Sequence, residues 1–156
     1  MPIQAKNVSQ SRVELAQVAM PDDANPAGNV HGGAIMKLID NAAGVVAMRH
    51  TRRNIVTASI DRLDFHHPVF VGNLIILKAS INRVGKTSME VGVRVEAENI
   101  MTGEVRHTAS AYLTFVALSP DGCPTQVPEL ISETDEDKRR LAEAIARYET
   151  RKLNKR

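Results

Sequence analysis

Residues 32 to about 49 constrain the fold most, because they form an apolar helical stretch with almost no charged side. Asp40 lies roughly opposite the broad apolar side, and its helical neighbours are mostly small or apolar, including Ala43 and Gly44. A solvent-facing side would carry several charges, so we expect a partner subunit to cover this second side. The alternative is an exposed patch on which Asp40 pairs with Lys37. The broad apolar side, which we expect to pack on a sheet, contains Ile35, Leu38, Ile39, Ala42, Val45 and Val46.

Outside this helix, apolar residues recur at the two-residue spacing of strands in five segments and at the spacing of a helix near the C-terminus. Strand patterns cover residues 12–19, 55–63, 74–84, 87–98 and 104–118, and a charged helix follows at about 133–153. The last three strands have short connections and should form an antiparallel meander. One apolar helix packed on a curved antiparallel sheet is an α+β architecture. We therefore predict a single domain over residues 1–156, with its core at about 12–118.

The composition argues against several classes of function. Of the 156 residues, 43% are hydrophobic, which is enough to bury a core. The formal net charge is only +2 and aromatic residues make up 3%, which argues against nucleic-acid binding. The sequence has no signal-peptide pattern, no apolar run long enough to span a bilayer, and a single cysteine, Cys123. We therefore expect a cytoplasmic protein that binds neither nucleic acid nor membrane.

Two glycines, Gly32 and Gly33, open the central helix and suggest a site for a developing negative charge. The first turn of a helix has unpaired N–H groups and a partial positive charge. Glycine lets a ligand approach the backbone closely, so these groups could stabilise the oxyanion formed when a carbonyl is attacked. Asp40 lies seven residues past Gly33, which is about 10 Å along the helix axis. That separation requires a bridging water, a shifted helix start, or an acid and donors from different subunits, and we favour the last.

Four stretches of the sequence resemble the cytosolic acyl-CoA hydrolase family, which includes brain acyl-CoA hydrolase and single-domain bacterial relatives. In chain order they are PDDANPAGNVHGGAIMKLID, NIVTASIDRLDF, GKTSMEV and AYLTFVALSPDG. The resemblance implies the hot-dog fold, in which an antiparallel sheet wraps a long helix and two chains form a continuous sheet. It also implies hydrolysis of acyl-CoA thioesters without a metal or organic cofactor, by homodimers that often assemble as trimers of dimers.

The resemblance also implies which residues perform the chemistry. In two-domain relatives one catalytic residue is an asparagine of one repeat and the other is an aspartate on the helix of the second repeat. Asn25 and Asp40 match these two positions. A homodimer could then build two equivalent sites, each with Asn25 from one subunit and Asp40 from the other. We expect Asp40 to act as general base on a water that Asn25 orients. Attack by Asp40 itself, through a covalent anhydride, is the open alternative.

Further residues are predicted to contact the substrate. The turn around Gly85 resembles the family's nucleotide-contact region, where a lysine charge and two hydroxyl groups suit the coenzyme A phosphates. A solvated hairpin turn is the alternative reading of that motif. The segment 56–59 resembles the strand beside the pantetheine arm, and His31 adjoins the glycines at the helix start. The predicted substrate-binding residues are therefore His31, Thr57, Ser59, Gly85, Lys86, Thr87 and Ser88.

Other chemistries fit the sequence less well. His66 and His67 are adjacent and would point to opposite sides of a strand, and the other histidines lack ligand-like spacing, so we predict no metal site. Ser88 and Ser110 lack the G-x-S-x-G motif of serine hydrolases. Two alternatives remain. One is a hot-dog thioester dehydratase, which would need a histidine such as His31, and the other is a non-catalytic regulatory protein that binds acyl-CoA.

Overall fold

The order of helices and strands follows the apolar period of the sequence. The computed structural model describes residues 3–154. The predicted α+β architecture is confirmed, and each predicted helix and long strand lies within two residues of its expected bounds. In chain order the elements are β1 (Lys6–Asn7), β2 (Val13–Val18), α1 (Gly32–Thr51), β3 (Asn54–Phe65), β4 (Leu74–Val84), β5 (Ser88–Glu98), β6 (Val105–Leu118), β7 (Leu130–Ile131) and α2 (Asp135–Asn154).

The five long strands form one antiparallel sheet in the order β2-β4-β5-β6-β3. Strands β4, β5 and β6 are neighbours both along the chain and in the sheet, which confirms the predicted meander. Strands β2 and β3 are the two edges, because each of them pairs with one strand, β4 and β6 respectively. The short strands β1 and β7 pair in parallel as a separate ribbon. The sheet therefore presents two free edges, of which β3 is the longer.

One face of the sheet packs on α1 and forms the hydrophobic core. Inward-facing residues alternate along each long strand with residues of the other face, as the two-residue period of a strand requires. Strand β6 contributes the almost completely buried side chains of Ala109, Ala111, Leu113 and Phe115. The predicted packing side of α1 contributes the buried side chains of Ile35, Ile39, Ala42 and Val46. The central helix and the sheet therefore bury each other as the sequence predicted.

The second side of α1 differs from the prediction. Ala43 and Ala47 have no exposed surface and Gly44 is buried, although the structure contains a single chain. A Cβ atom at Gly44 would lie 3.9 Å from Cδ1 of Ile55, because β3 packs against this side of the helix. The prediction that a partner subunit covers this side is therefore wrong for the small residues, which the chain itself buries. The first turns stay open, and Met36 there is 39% exposed.

Helix α2 lies on the face of the sheet opposite α1. Two of its arginines donate hydrogen bonds to outward-facing side chains of the sheet, Arg147 to Glu90 and Arg151 to Thr114. Within residues 3–154, neither α1 nor α2 combines the length and apolar composition needed to cross a bilayer. The sheet is thus covered by an apolar helix on one face and by a charged helix on the other.

Candidate active site

The start of α1 presents two backbone donors to solvent. His31 is the N-cap residue, and its carbonyl accepts hydrogen bonds from the N–H groups of Ala34 and Ile35. The N–H groups of Gly32 and Gly33 have no acceptor among the described residues. A Cβ atom at Gly33 would meet nothing within 4 Å, so this part of the backbone faces open space. The geometry is that of an anion site at the positive end of a helix.

Asn25 lies in the loop before α1, and its side-chain amide has a fixed orientation. Its Oδ1 atom accepts hydrogen bonds from the N–H groups of Ala27 at 3.0 Å and Asn29 at 3.2 Å. Two donors on one side of the amide assign that side as the oxygen. The Nδ2 group makes no hydrogen bond within residues 3–154 and remains a free donor.

Asn25 and Gly32 line the same pocket, which has a volume of about 380 Å³. The far end of β3 and the residues after it close the pocket, so the fold brings Phe65, His66 and His67 to the helix start. The sequence suggested no role for these two histidines beyond the rejected one of metal ligands, so their place in the pocket was not predicted. Their proximity to Asn25 depends on the path of β3, and the sequence carries no signal for it.

The carboxylate of Asp40 is held by a threonine of the edge strand. Oγ1 of Thr57 donates a hydrogen bond of 2.8 Å to Oδ1 of Asp40. The register of β3 shifts between Thr57 and Ser59, which marks an irregularity in the strand next to this contact. Among the described residues the side-chain partner of Asp40 is Thr57, so the predicted alternative of an ion pair with Lys37 is not formed. One oxygen of the carboxylate is therefore oriented, and the other has no hydrogen-bond partner among the described residues.

A single chain does not bring the predicted acid and the predicted donors into one cavity. Asn25 and Gly32 line the pocket at the helix start, and Asp40 does not. Asp40 instead lies two helical turns further along α1 and faces β3. The expected separation between the helix start and Asp40 is thus present in the fold. Within one chain, Asp40 and Asn25 do not share a pocket.

Histidines near this pocket do not form a metal centre. The rings of His66 and His107 pack with their centroids 4.9 Å apart. Burial, followed by the positive charge of Arg94, lowers the pKa of His107. Across residues 3–154, no three histidine, cysteine or carboxylate side chains are grouped closely enough to hold a metal ion.

Comparison with known proteins identifies the family. A sequence profile described as the thioesterase superfamily matches residues 27–104. The cytosolic acyl coenzyme A thioester hydrolase of Rattus norvegicus is 39% identical over 143 residues, which are 90% of this chain and 38% of that protein. The Bacillus subtilis protein named uncharacterized acyl-CoA thioester hydrolase YkhA is 40% identical over 147 residues, which are 94% of this chain and 86% of that protein. The chain belongs to the thioesterase superfamily.

Solved structures extend the comparison to the fold of this superfamily member. A hexameric acyl-CoA thioesterase in its apo form matches with a TM-score of 0.94 and 39% identity, covering 97% of each chain. The acyl-CoA hydrolase of Staphylococcus aureus, in complex with butyryl coenzyme A, coenzyme A and coenzyme A disulfide, matches with a TM-score of 0.90 and 34% identity, covering 96% of this chain and 92% of that chain. The predicted hot-dog fold is confirmed. The chain spans 38% of the length of the rat, mouse and human cytosolic acyl coenzyme A thioester hydrolases.

The second predicted contact region of this thioesterase-superfamily chain is a tight hairpin between β4 and β5. The N–H group of Gly85 donates to the carbonyl of Ser88 at 2.7 Å, which confirms the predicted turn. The carbonyl groups of Lys86 and Thr87 accept hydrogen bonds from Val127 and Ala117, so neighbouring chain fixes the turn from behind. The side chain of Lys86 is exposed. Its contact with a nucleotide stays a prediction, as do the substrate contacts of His31 and Ser59.

Proposed function

We propose that this protein hydrolyses acyl-CoA thioesters to a free fatty acid and coenzyme A, with Asp40 as its central catalytic group. The proposal rests mainly on the carboxylate of Asp40, which Thr57 orients through one oxygen and leaves free at the other. Solved variants of the Staphylococcus aureus acyl-CoA hydrolase replace an asparagine, an aspartate and a threonine by alanine. These positions are separated by 15 and 17 residues, and the same separations relate Asn25, Asp40 and Thr57.

In the proposed reaction Asp40 acts as a general base through its free oxygen. It removes a proton from a water molecule while that water attacks the thioester carbonyl. The carbon–sulfur bond then breaks, and the proton passes from Asp40 to the departing thiolate of coenzyme A. No metal or organic cofactor takes part. A covalent anhydride between Asp40 and the acyl group, which water later hydrolyses, is the alternative course.

The free donors at the start of α1 support this chemistry. The thioester oxygen becomes negative during the attack, and the N–H groups of Gly32 and Gly33 are available to bind it. Loss of one such donor typically costs about 3–4 kcal/mol of transition-state stabilisation. The Nδ2 group of Asn25 lines the same pocket as Gly32 and, as a free donor, can hold the oxygen of the attacking water.

The complete site requires two chains in this proposal. Strand β3 is a free edge of 12 residues, and it exposes the apolar side chains of Val56, Ile60 and Phe65. A long, apolar edge strand is a surface that pairs with another chain. Pairing of two β3 strands about a two-fold axis would bring Asp40 of one chain toward Asn25 of its partner. We extend the proposal to a trimer of such dimers, because a solved acyl-CoA thioesterase of similar structure is hexameric.

A subunit-mixing experiment tests the shared site. We expect Asn25→Ala and Asp40→Asn homodimers each to be almost inactive, and their mixture, after dissociation and reassociation, to recover about a quarter of wild-type activity. Random pairing makes half of the dimers mixed, and each mixed dimer has one site with both native residues. The measurement is the release of coenzyme A, followed with a thiol-reactive dye.

The control for this experiment is reassociation of each variant with itself, which should recover nothing. If both variants are inactive alone and the mixture stays inactive although mixed dimers form, each site uses Asn25 and Asp40 of one chain, and the shared-site proposal fails. If the wild type releases no coenzyme A but still binds acyl-CoA, the regulatory alternative replaces the enzyme.

Thr57 provides a prediction that separates positioning of Asp40 from binding of substrate. We expect Thr57→Val to lower kcat about tenfold with little change in KM, because the variant loses one oriented hydrogen bond to the base. Thr57→Ser keeps the hydroxyl group and should restore most of kcat. Initial rates over a range of acyl-CoA concentrations give both constants. A rise in KM at unchanged kcat would instead support the substrate contact that the sequence suggested for Thr57.

A further inference from the structure

A cavity of about 650 Å³ lies between α2 and the outward face of the sheet. It shares no lining residue with the pocket of Asn25 and Gly32, and it does not include Asp40. Helix α2 leaves this space open because it inserts few side chains into the sheet, and only Asp137 and Ala144 of the helix are buried. The proposed hydrolysis makes no use of the cavity.

Cationic residues outnumber carboxylates in the lining of the cavity. The lining carboxylates are those of Glu14, Glu136 and Glu143, and Arg139 and Arg140 pair with the last two. The other cationic lining residues pair with carboxylates that do not line the cavity, such as Glu96, the partner of Lys78 and Arg94. An anion in the cavity would therefore face cationic groups whose partners lie mostly outside it. The cationic lining residues are Arg12, Lys78, Arg94, Arg139, Arg140 and Arg147.

The floor of the cavity contains a buried hydroxyl group without a partner. Ser80 is 6% exposed, and its Oγ atom makes no hydrogen bond in the described part of the chain. Leaving a buried polar group unpaired typically costs about 1–3 kcal/mol, and such groups in native proteins usually have a partner. Ser80 lines the cavity, so a ligand that reaches this hydroxyl group, which has almost no exposed surface in the free protein, can supply that partner.

Gly92 lines the cavity next to this hydroxyl group. It pairs with Ser80 across β4 and β5. A Cβ atom at Gly92 would lie 2.8 Å from Nδ2 of Asn82, which is closer than packed atoms can approach. Asn82 is itself fixed by its hydrogen bond to Glu90, so it cannot move aside easily. Glycine is needed at this position because Asn82 and Tyr112, which both line the cavity, fill the space beside it.

We propose that this cavity binds a phosphate-bearing small molecule at a site separate from the acyl-CoA site. Guanidinium groups bind phosphate oxygens through paired, charge-assisted hydrogen bonds. Arg94, Arg139 and Arg140 are partly exposed, and each would exchange its glutamate partner for such a group. The hydroxyl group of Ser80 donates to a phosphate oxygen at the floor, which satisfies its buried Oγ atom. Site formation depends on the position of α2, because α2 supplies one wall.

Pyrophosphate is a suitable probe, and calorimetric titration of the full-length protein tests the site. We expect one pyrophosphate to bind per chain, with affinity that falls as the salt concentration rises. Arg139→Gln should weaken binding about tenfold, since it removes a charge-assisted hydrogen bond. Ser80→Ala should weaken binding about fivefold. Thioester hydrolysis without added phosphate should not change in either variant, so this test is independent of the proposed function.

Arg106→Gln is the matched control, because Arg106 and Arg139 have equally exposed side chains, each paired with a glutamate, and Arg106 does not line the cavity. It should bind pyrophosphate like the wild type. Lys86→Ala tests whether pyrophosphate binds at the predicted nucleotide-contact turn instead of in the cavity. Binding that persists in this variant, and also in the presence of saturating coenzyme A, supports the separate site. Absent binding, loss of binding in Lys86→Ala, or equal weakening in Arg106→Gln would overturn the proposal.

Discussion

Asp40→Asn is expected to lower kcat for acyl-CoA hydrolysis at least a hundredfold while the protein stays folded and still binds acyl-CoA. General base catalysis typically contributes about 10²–10⁴ in rate. The asparagine has the same shape and can still accept the hydrogen bond that Thr57 donates to Asp40. It cannot take a proton from water, and it is a much poorer nucleophile, so the prediction holds for either course of the reaction. Release of coenzyme A across several acyl chain lengths is the measurement.

Glu104→Gln is a suitable control for this prediction, because it also neutralises a carboxylate but lies in an exposed turn paired with Arg106. Its rate should equal that of the wild type. If Asp40→Asn retains wild-type activity, Asp40 has only a structural role and the catalytic acid lies elsewhere. Equal binding of acyl-CoA by the variant and the wild type would show that any loss of rate belongs to the chemical step.

The long elements of the fold could be predicted because each has a strong period over ten or more residues. The predicted bounds of β4 agree with those observed, since an apolar alternation runs from Leu74 to Val84 and a glycine follows at once. Helix α1 continues two residues beyond its expected end and stops where Arg52 adopts a left-handed conformation with φ 52°. The two-residue strands β1 and β7 carry no period, because pairing between distant parts of the chain defines them.

The surroundings of the candidate site could be predicted only in part, because they depend on tertiary packing. The sequence predicted an acid among small residues on α1, but it could not show that β3 packs against Gly44 and that the chain itself buries Ala43. The same strand brings Thr57 to Asp40 at one point and Phe65 to Gly32 at another. A helical wheel shows which residues share one side of a helix. Whether that side is buried depends on the path of the neighbouring edge strand.

The packing of α2 on the sheet could also not be predicted from the sequence, because it depends on a polar network rather than on the spacing of apolar residues. Glu90 is 4% exposed and accepts two hydrogen bonds from Arg147, at 2.9 and 2.8 Å, and one from Asn82 at 3.0 Å. The guanidinium group of Arg147 also lies 3.6 Å above the ring of Tyr112. Burial acts to lower the pKa of Arg147, but the hydrogen bonds and charge of Glu90 outweigh it and raise that pKa.

Arg147→Leu is therefore expected to destabilise the protein by about 3–5 kcal/mol, the usual effect of removing one partner from a buried ion pair. The carboxylate of Glu90 would stay under α2 with only Asn82 as a partner. Urea unfolding at a fixed protein concentration measures the change, since subunit association also contributes to stability. The matched control is Arg106→Leu, which breaks an exposed ion pair with Glu104 and should change the free energy of unfolding by less than about 1 kcal/mol.

The double variant Glu90→Leu with Arg147→Leu distinguishes a buried charge from lost packing. It removes both charges together, so we expect it to recover most of the stability that Arg147→Leu loses. If the double variant is as unstable as the single variant, the contact of Arg147 with Tyr112 holds α2 in place rather than the ion pair. If Arg147→Leu is no less stable than Arg106→Leu, the buried position of Glu90 does not persist in solution, and α2 is not fixed to the sheet through this network.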